Sequence, residues 1–312
     1  MLVVAGNLTL DDTVMPDGRT VMGAMGGDVL YTGLGAALWT RPVSLFSRHG
    51  DDFPPEHLER ARAAGLDLSG LRACPGPTIR YWVIYEWGGR RHFIFRTQDE
   101  RFPALSPAPD DLPADYAARC RLFHVAALPF DHMERLVYAV ARLPTRPLIT
   151  LDTHEDYVTG YQDRFARLLP LLAAFLPSRE EVALWFGDDD PERRIGDLLA
   201  LGPEIVVIKM GAEGVLLQRR GQRRPVRLAP IPGPVVDQTG AGDAFCGGFA
   251  AYVAMGASML DAARAGLVSA SFAVERFGAA GLIDVDDRDR DERLAMARNT
   301  GRDAEREEIV DD

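Results

Sequence analysis

Asp243 follows three small residues, Gly240, Ala241 and Gly242, and precedes an uncharged run from Ala244 to Leu260. The run predicts a buried helix, and the glycines predict a tight turn at its mouth. Such a turn leaves backbone N–H groups without intrahelical partners, beside the positive end of the helix dipole, about half an elementary charge. Phosphate is the usual guest of such a place. A carboxylate beside it can accept a proton, so cradle and base together point to phosphoryl transfer onto a hydroxyl, with Asp243 as general base. Asp237 and Thr239 bring further oxygens to the turn, and Gly247-Gly248 thin the helix for a close approach. The plainer alternative is an aspartate that only complements the helix dipole.

The same residues resemble the C-terminal signature of the ribokinase-like (PfkB) carbohydrate kinases, D-T-x-G-A-G-D-x-F. Asp237, Thr239, Gly240, Ala241, Gly242, Asp243, Phe245 and the later Gly248 match it, with Gln238 where the family often has Thr. The resemblance implies ATP and Mg²⁺ as cofactors, and a monovalent cation (K⁺) near Asp237. It places Glu181 at the metal, directly or through water, with Ser178 where the family has Asn; Ser178 to Glu181 also reads as a helix capping box. It puts Lys209 and Gly211 near the nucleotide, and Ser269, Ala270, Ala273 and Gly278 around adenine. At the acceptor end it implies Asp11, with Asp12 as an adjacent rival, and the pair Gly26-Gly27. Two departures concern that end: Tyr31 replaces an Asn, and Asp152-Thr153-His154 stands where many members have Asp-Pro-Asn. The resemblance implies a small sugar or polyol as acceptor, and the two departures leave a nucleoside or inositol open; a ligand binder without catalysis is the reading from another class. The likeness spans roughly residues 1 to 283.

Composition narrows the classes. The chain has 312 residues, 47% of them hydrophobic, enough to bury a large core. A formal net charge of −11 disfavours nucleic acid or an anionic membrane as partner. Cys74, Cys120 and Cys246 are scattered, which fits a reduced, cytoplasmic setting. MLVVAGNL has no basic segment before its apolar run and reads as a strand rather than a signal peptide. A G-x-x-x-x-G-K-[ST] loop and a G-x-S-x-G elbow are both missing, and Gly33-x-Gly35 lacks a third glycine. The six histidines show no zinc spacing; His124 and His154, near strand ends, are candidates for substrate contact.

The elements that must hold these residues alternate. Strands are expected at 2–5, 43–47, 122–125, 148–151 and 205–208. Helices are expected at 29–40, 55–64, 132–142, 161–169, 191–201, 244–255 and 261–277. That order predicts an α/β fold, three layers with a mostly parallel central sheet. Residues 78–87 and 90–97, joined by Gly88-Gly89, read as a hairpin. This β lid, about 76–97, is expected to carry Trp82, Trp87, Phe93 and Phe95 on its outer faces and to pair with a second copy. One domain, 1–283, and a charged tail, 284–312, expected as a surface helix that frays, complete the reading.

Overall fold

The computed structural model describes residues 1–87, 90–98, 100–187 and 190–300; the Gly88-Gly89 turn of the hairpin lies outside them. The strands, in chain order, are β1 (Leu2–Ala5), β2 (Thr9–Val14), β3 (Thr20–Gly26), β4 (Val43–Gly50), β5 (Leu66–Cys74), β6 (Ile79–Tyr85), β7 (Arg91–Phe95), β8 (Leu122–Val125), β9 (Leu148–Leu151), β10 (Ala174–Phe175), β11 (Ile205–Lys209), β12 (Val215–Arg219) and β13 (Val226–Leu228). Nine form one sheet in the order β13-β12-β11-β10-β9-β8-β1-β4-β5, parallel except for the β11–β12 and β12–β13 pairs. Helices cover both faces. β1 shows why: Leu2 and Val4 enter one apolar cluster and Val3 and Ala5 the other, so alternate side chains feed two cores.

The chain builds outward from β1 to β4 and β5, then returns to β8 on the other side of β1. That reversal leaves a crevice at the carboxyl ends of the strands, the place where open parallel sheets bind ligands. Gly6, Asp152, Ser178 and Lys209 all stand at those ends.

Each expected helix is present, with ends shifted by a few residues. The largest shift is in Met259–Ala273, which stops short of Phe277 because the Val274 carbonyl accepts the amides of Val236 and Asp237 (2.8 and 3.2 Å). The helix Ala241–Ala254 is apolar all round and lies against Asp28–Ala37 and Met259–Ala273. Gly247 permits this, since a Cβ there would overlap the Thr32 carbonyl. The helix Asp287–Thr300 packs on the body: Leu294 and Ala297 join the core, and Arg293 lies over the Phe272 ring and pairs with Glu275 at 2.7 Å. Burying a leucine contributes about 1.5–3 kcal/mol, which holds this otherwise charged helix in place.

The lid is larger than a hairpin. β2 and β3 join it to give a second sheet, β3-β2-β6-β7. Its register also corrects the expected outer face. Phe95 pairs with Tyr81, Phe93 with Val83 and Arg91 with Tyr85, and Val83 and Tyr85 are buried against the body. Phe93 and Phe95 therefore lie on the inner side, whereas Trp82 lies on the outer side opposite Ile94.

Candidate active site

Gly240 caps the helix Ala241–Ala254 in the left-handed conformation (φ 74°), and a Cβ there would overlap the Tyr31 ring. Glycine is needed on both counts. The Ala241 amide turns back to Gln238 O at 3.4 Å, while the amides of Gly242 and Asp243 make no backbone hydrogen bond among the described residues. Asp237 braces the turn. It is 1% exposed; one oxygen accepts from Thr239 N (2.9 Å) and Tyr85 Oη (2.6 Å), the other from Gly278 N (2.9 Å). One buried carboxylate thus joins the anion turn, the lid and the loop after Met259–Ala273.

Asp243 is half-buried beside these amides. Burial and the nearby Asp152 raise its pKa to about 6, against the opposing pull of Lys209, Arg91 and His154. Lys209 ends β11, pairs with Asp152 at the end of β9, and lies against Gly242. Burial works against its charge, but Asp152, Cys246 and Glu181 outweigh that and hold the ammonium above its usual value. Asp152 also accepts from Cys246 Sγ (3.3 Å). Ser178 and Glu181 form a capping box on the helix Arg179–Phe186: Glu181 N donates to Ser178 Oγ (3.2 Å) and Ser178 N to Glu181 Oε2 (2.7 Å). Burial pushes the Glu181 carboxyl up, with Lys209 opposing.

At the other end of the crevice, strand alternation separates the two rival aspartates. Asp11 pairs in register with Tyr81 and faces inward, accepting from Thr9 Oγ1 (2.7 Å); burial, with Asp237 and Asp12, raises it to about 7. Asp12 pairs with Trp82 and faces outward, where Gly23 N (2.6 Å) and Arg96 engage it and Arg96 stacks over Trp82 (4.9 Å). Gly26 packs on the Asp11 carboxylate, and Gly27 (φ 99°) starts the helix Asp28–Ala37. Tyr31, 2% exposed, lies beneath Gly240, and burial with Asp11, Asp237 and Asp243 holds its hydroxyl protonated.

Not every expected residue gathers here. Ser269 and Ala273 are fully buried. The Ser269 hydroxyl donates to Gly35 O and accepts from Trp39 Nε1, both at 2.9 Å, so it joins helices and faces no pocket. His124 is interior, with Nδ1 at 2.9 Å from Thr150 Oγ1, and burial lowers it to about 4. His154 stays half-exposed on the Asp243 side. Gly211 opens an exposed turn after β11. Sequence reasoning missed Tyr85, Arg91 and Asp28. The period of two along β6 and β7 puts Tyr85 and Arg91 on the Tyr81 face and could have found them. Asp28, whose carboxylate accepts Asn7 N (2.6 Å) and is raised by burial and by Asp243, carried no signal beyond its place after Gly27.

The model of the pfkB family carbohydrate kinases matches residues 6–285. The chain belongs to this family. It is a small-molecule kinase acting on a polar metabolite. A cytidine kinase of Thermococcus kodakarensis is 30% identical to this pfkB-family chain over 280 residues, covering 89% of the chain and 97% of the relative. An inositol 3-kinase of Oryza sativa subsp. japonica is 37% identical over 282 residues, covering 86% and 66%. Among solved structures, the Methanocaldococcus jannaschii nucleoside kinase superposes with TM-score 0.76 at 17% identity, covering 95% of this chain and 98% of its own. The Arabidopsis thaliana ribokinase complexed with ribose and ATP gives 0.72 at 19%, covering 94% and 98%. No helix among the described residues is long and apolar enough to cross a membrane.

Proposed function

We propose that this pfkB-family kinase transfers the γ-phosphoryl group of ATP to a hydroxyl of a small sugar or polyol. One observation carries the reading: a half-buried carboxylate with its pKa raised to about 6, beside open amides at the carboxyl end of the sheet. Asp243 is ionised at neutral pH yet more basic than an ordinary carboxylate, so it takes the hydroxyl proton as the oxygen attacks. The amides of the Gly240–Gly242 turn and the helix dipole receive the charge that develops on the phosphoryl oxygens. Lys209 brings a cation to the same turn. Asp11, Gly26 and Gly27 orient the acceptor, and the lid, held by Tyr85 to Asp237, keeps water from competing.

Magnesium fits this donor set as a metal carried by the nucleotide. Among the described residues no group of three His, Cys, Asp or Glu forms a cage, and Mg²⁺ bound to phosphates needs only one or two carboxylates plus water. Glu181 would supply that carboxylate, and the ion would neutralise phosphate charge. Asp237 already accepts three hydrogen bonds, leaving about one lone-pair site for K⁺, so loop carbonyls would complete that ligand set. The reading includes a cytoplasmic setting, in keeping with three free cysteines, and a homodimer through the lid, where Trp87, Phe93, Ile94 and Phe95 are exposed.

A nucleoside or inositol acceptor is the second reading. It is favoured by Tyr81, whose ring lies 4.7 Å from Phe95 and whose hydroxyl is held protonated by burial, with Asp11, Asp28 and Tyr157 adding to it. Two lid rings thus stand on the same face as Asp11. A coupled ADP-release screen over pentoses, hexoses, sugar acids, inositols and nucleosides decides between the two. Turnover with any acceptor also removes the non-catalytic alternative, and none with all five classes contradicts the proposal.

A further inference from the structure

The chain's formal charge is −11, yet one cleft on it is lined, among the described residues, by three arginines and by no carboxylate. It lies at the amino-terminal ends of the strands, opposite the Asp243 turn, where β1 and β9 begin at Leu2 and Leu148 and where Pro42 precedes β4. Its volume is about 710 Å³, within the range of small-molecule sites. Arg41, Arg119 and Arg121 line it. Arg41 uses Nε on Ala37 O (2.9 Å), which leaves its two terminal nitrogens. Arg119 holds Asp115 in an exposed pair (3.0 Å), of a kind weak enough to exchange for a better anion. Among the described residues Arg121 makes only backbone bonds: its amide donates to Met1 O and its carbonyl accepts from Leu148 N.

The wall between these cations is apolar and wet. Leu148 is 47% exposed and Met255 54%, two of the larger apolar side chains left open on the described surface. Guanidinium forks bind phosphate bidentately and lie flat on rings, and an apolar floor beside them takes carbon. An acidic protein surface repels anions unless a local cluster reverses the field, and here three guanidinium groups face a single neighbouring carboxylate among the described residues named around them, Asp115 on Arg119.

We propose that this cleft binds a small phosphorylated organic molecule, its phosphate on Arg41, Arg119 and Arg121 and its carbon skeleton on Leu148 and Met255. The site is separate from the transfer chemistry. The helix Ala241–Ala254 has Asp243 in its first turn and lines the cleft with Val253 and Ala254 at its other end. The eleven residue steps from Asp243 to Ala254 set the two about 16 Å apart along the helix.

The test is calorimetric titration of the full chain with phenyl phosphate and, separately, with inorganic phosphate, the nucleotide site being kept filled by saturating Mg²⁺ and a non-hydrolysable ATP analogue. One equivalent of phenyl phosphate is expected to bind, more tightly than inorganic phosphate. The double variant Arg41→Glu, Arg121→Glu is expected to weaken it by at least about tenfold with ADP-release turnover unchanged. Leu148→Ser with Met255→Ser is expected to bring phenyl phosphate down to the level of inorganic phosphate. Arg121→Gln, which removes charge without reversing it, gives the same direction if the double variant melts early. Equal binding by wild type and both arginine variants overturns the proposal, as does no binding of phenyl phosphate at millimolar concentration. Equal affinity for the two probes overturns the organic part of it.

Discussion

Around the Asp237–Asp243 turn the bracing carboxylate accepts three hydrogen bonds and the following helix is buried on nearly every side, whereas in β7 all five residues are exposed. Both regions border the same crevice. The difference is one of preorganisation. The transfer end is fixed within a single chain by the β-strand ends, a capped helix and one bridging aspartate. The lid end presents Arg91, Phe93 and Phe95 on an inner face, and all three are exposed. A kinase needs a rigid place for the reacting charge and an opening through which the acceptor enters, and the fold gives these to different sheets.

The contrast can be broken most strongly at Asp237. In Asp237→Ala the Tyr85 hydroxyl and the amides of Thr239 and Gly278 lose their common acceptor. At about 1–3 kcal/mol for each buried donor left unpaired, a loss of roughly 3–5 kcal/mol is expected after relaxation. Thermal melting measures it, and an unchanged Tm would remove this residue as the brace. A smaller effect is expected from pH. Because burial and Asp152 push Asp243 up to about 6, it is expected to be a carboxylate above that value and protonated below it. The kcat/KM profile should therefore fall about tenfold per unit below pH 6; a profile flat down to pH 4.5 would assign the base elsewhere. The smallest effect is expected on the lid. Trp87 is 82% exposed in the single chain, so at a protein concentration where the chain is monomeric Trp87→Ser should change stability by no more than about 0.5 kcal/mol. A larger loss on urea unfolding would mean that the lid is already covered in solution.

The sequence made the rigid region easier to read than the open one, for a physical reason. Short apolar runs such as LVVA and LFHV declare buried parallel strands, and the uncharged run after Asp243 declares a buried helix. β2 does not: its TLDDTV carries two carboxylates, so it reads as a loop of candidate ligands until pairing with β3 and β6 shows which aspartate faces in. β10 has two residues, too few to show a period, and β5 mixes Asp, Ser, Gly and Arg because it is the sheet's edge. The bridge from Tyr85 to Asp237 spans 152 positions and leaves no local trace. Ser269 misled because small residues on a helix look alike whether they line a pocket or admit a neighbouring helix. In the structure they admit Trp39 and Gly35.

Substitution of the base addresses the account most directly. With an acceptor found by the ADP-release screen, Asp243→Asn keeps the shape of the turn and its amides but removes the proton acceptor. Turnover should fall by about 10²–10⁴ while the affinity for Mg–ATP, measured by titration, stays within about threefold. A variant that turns over at close to the wild-type rate would contradict the assignment of the turn as the place where the phosphoryl group is transferred.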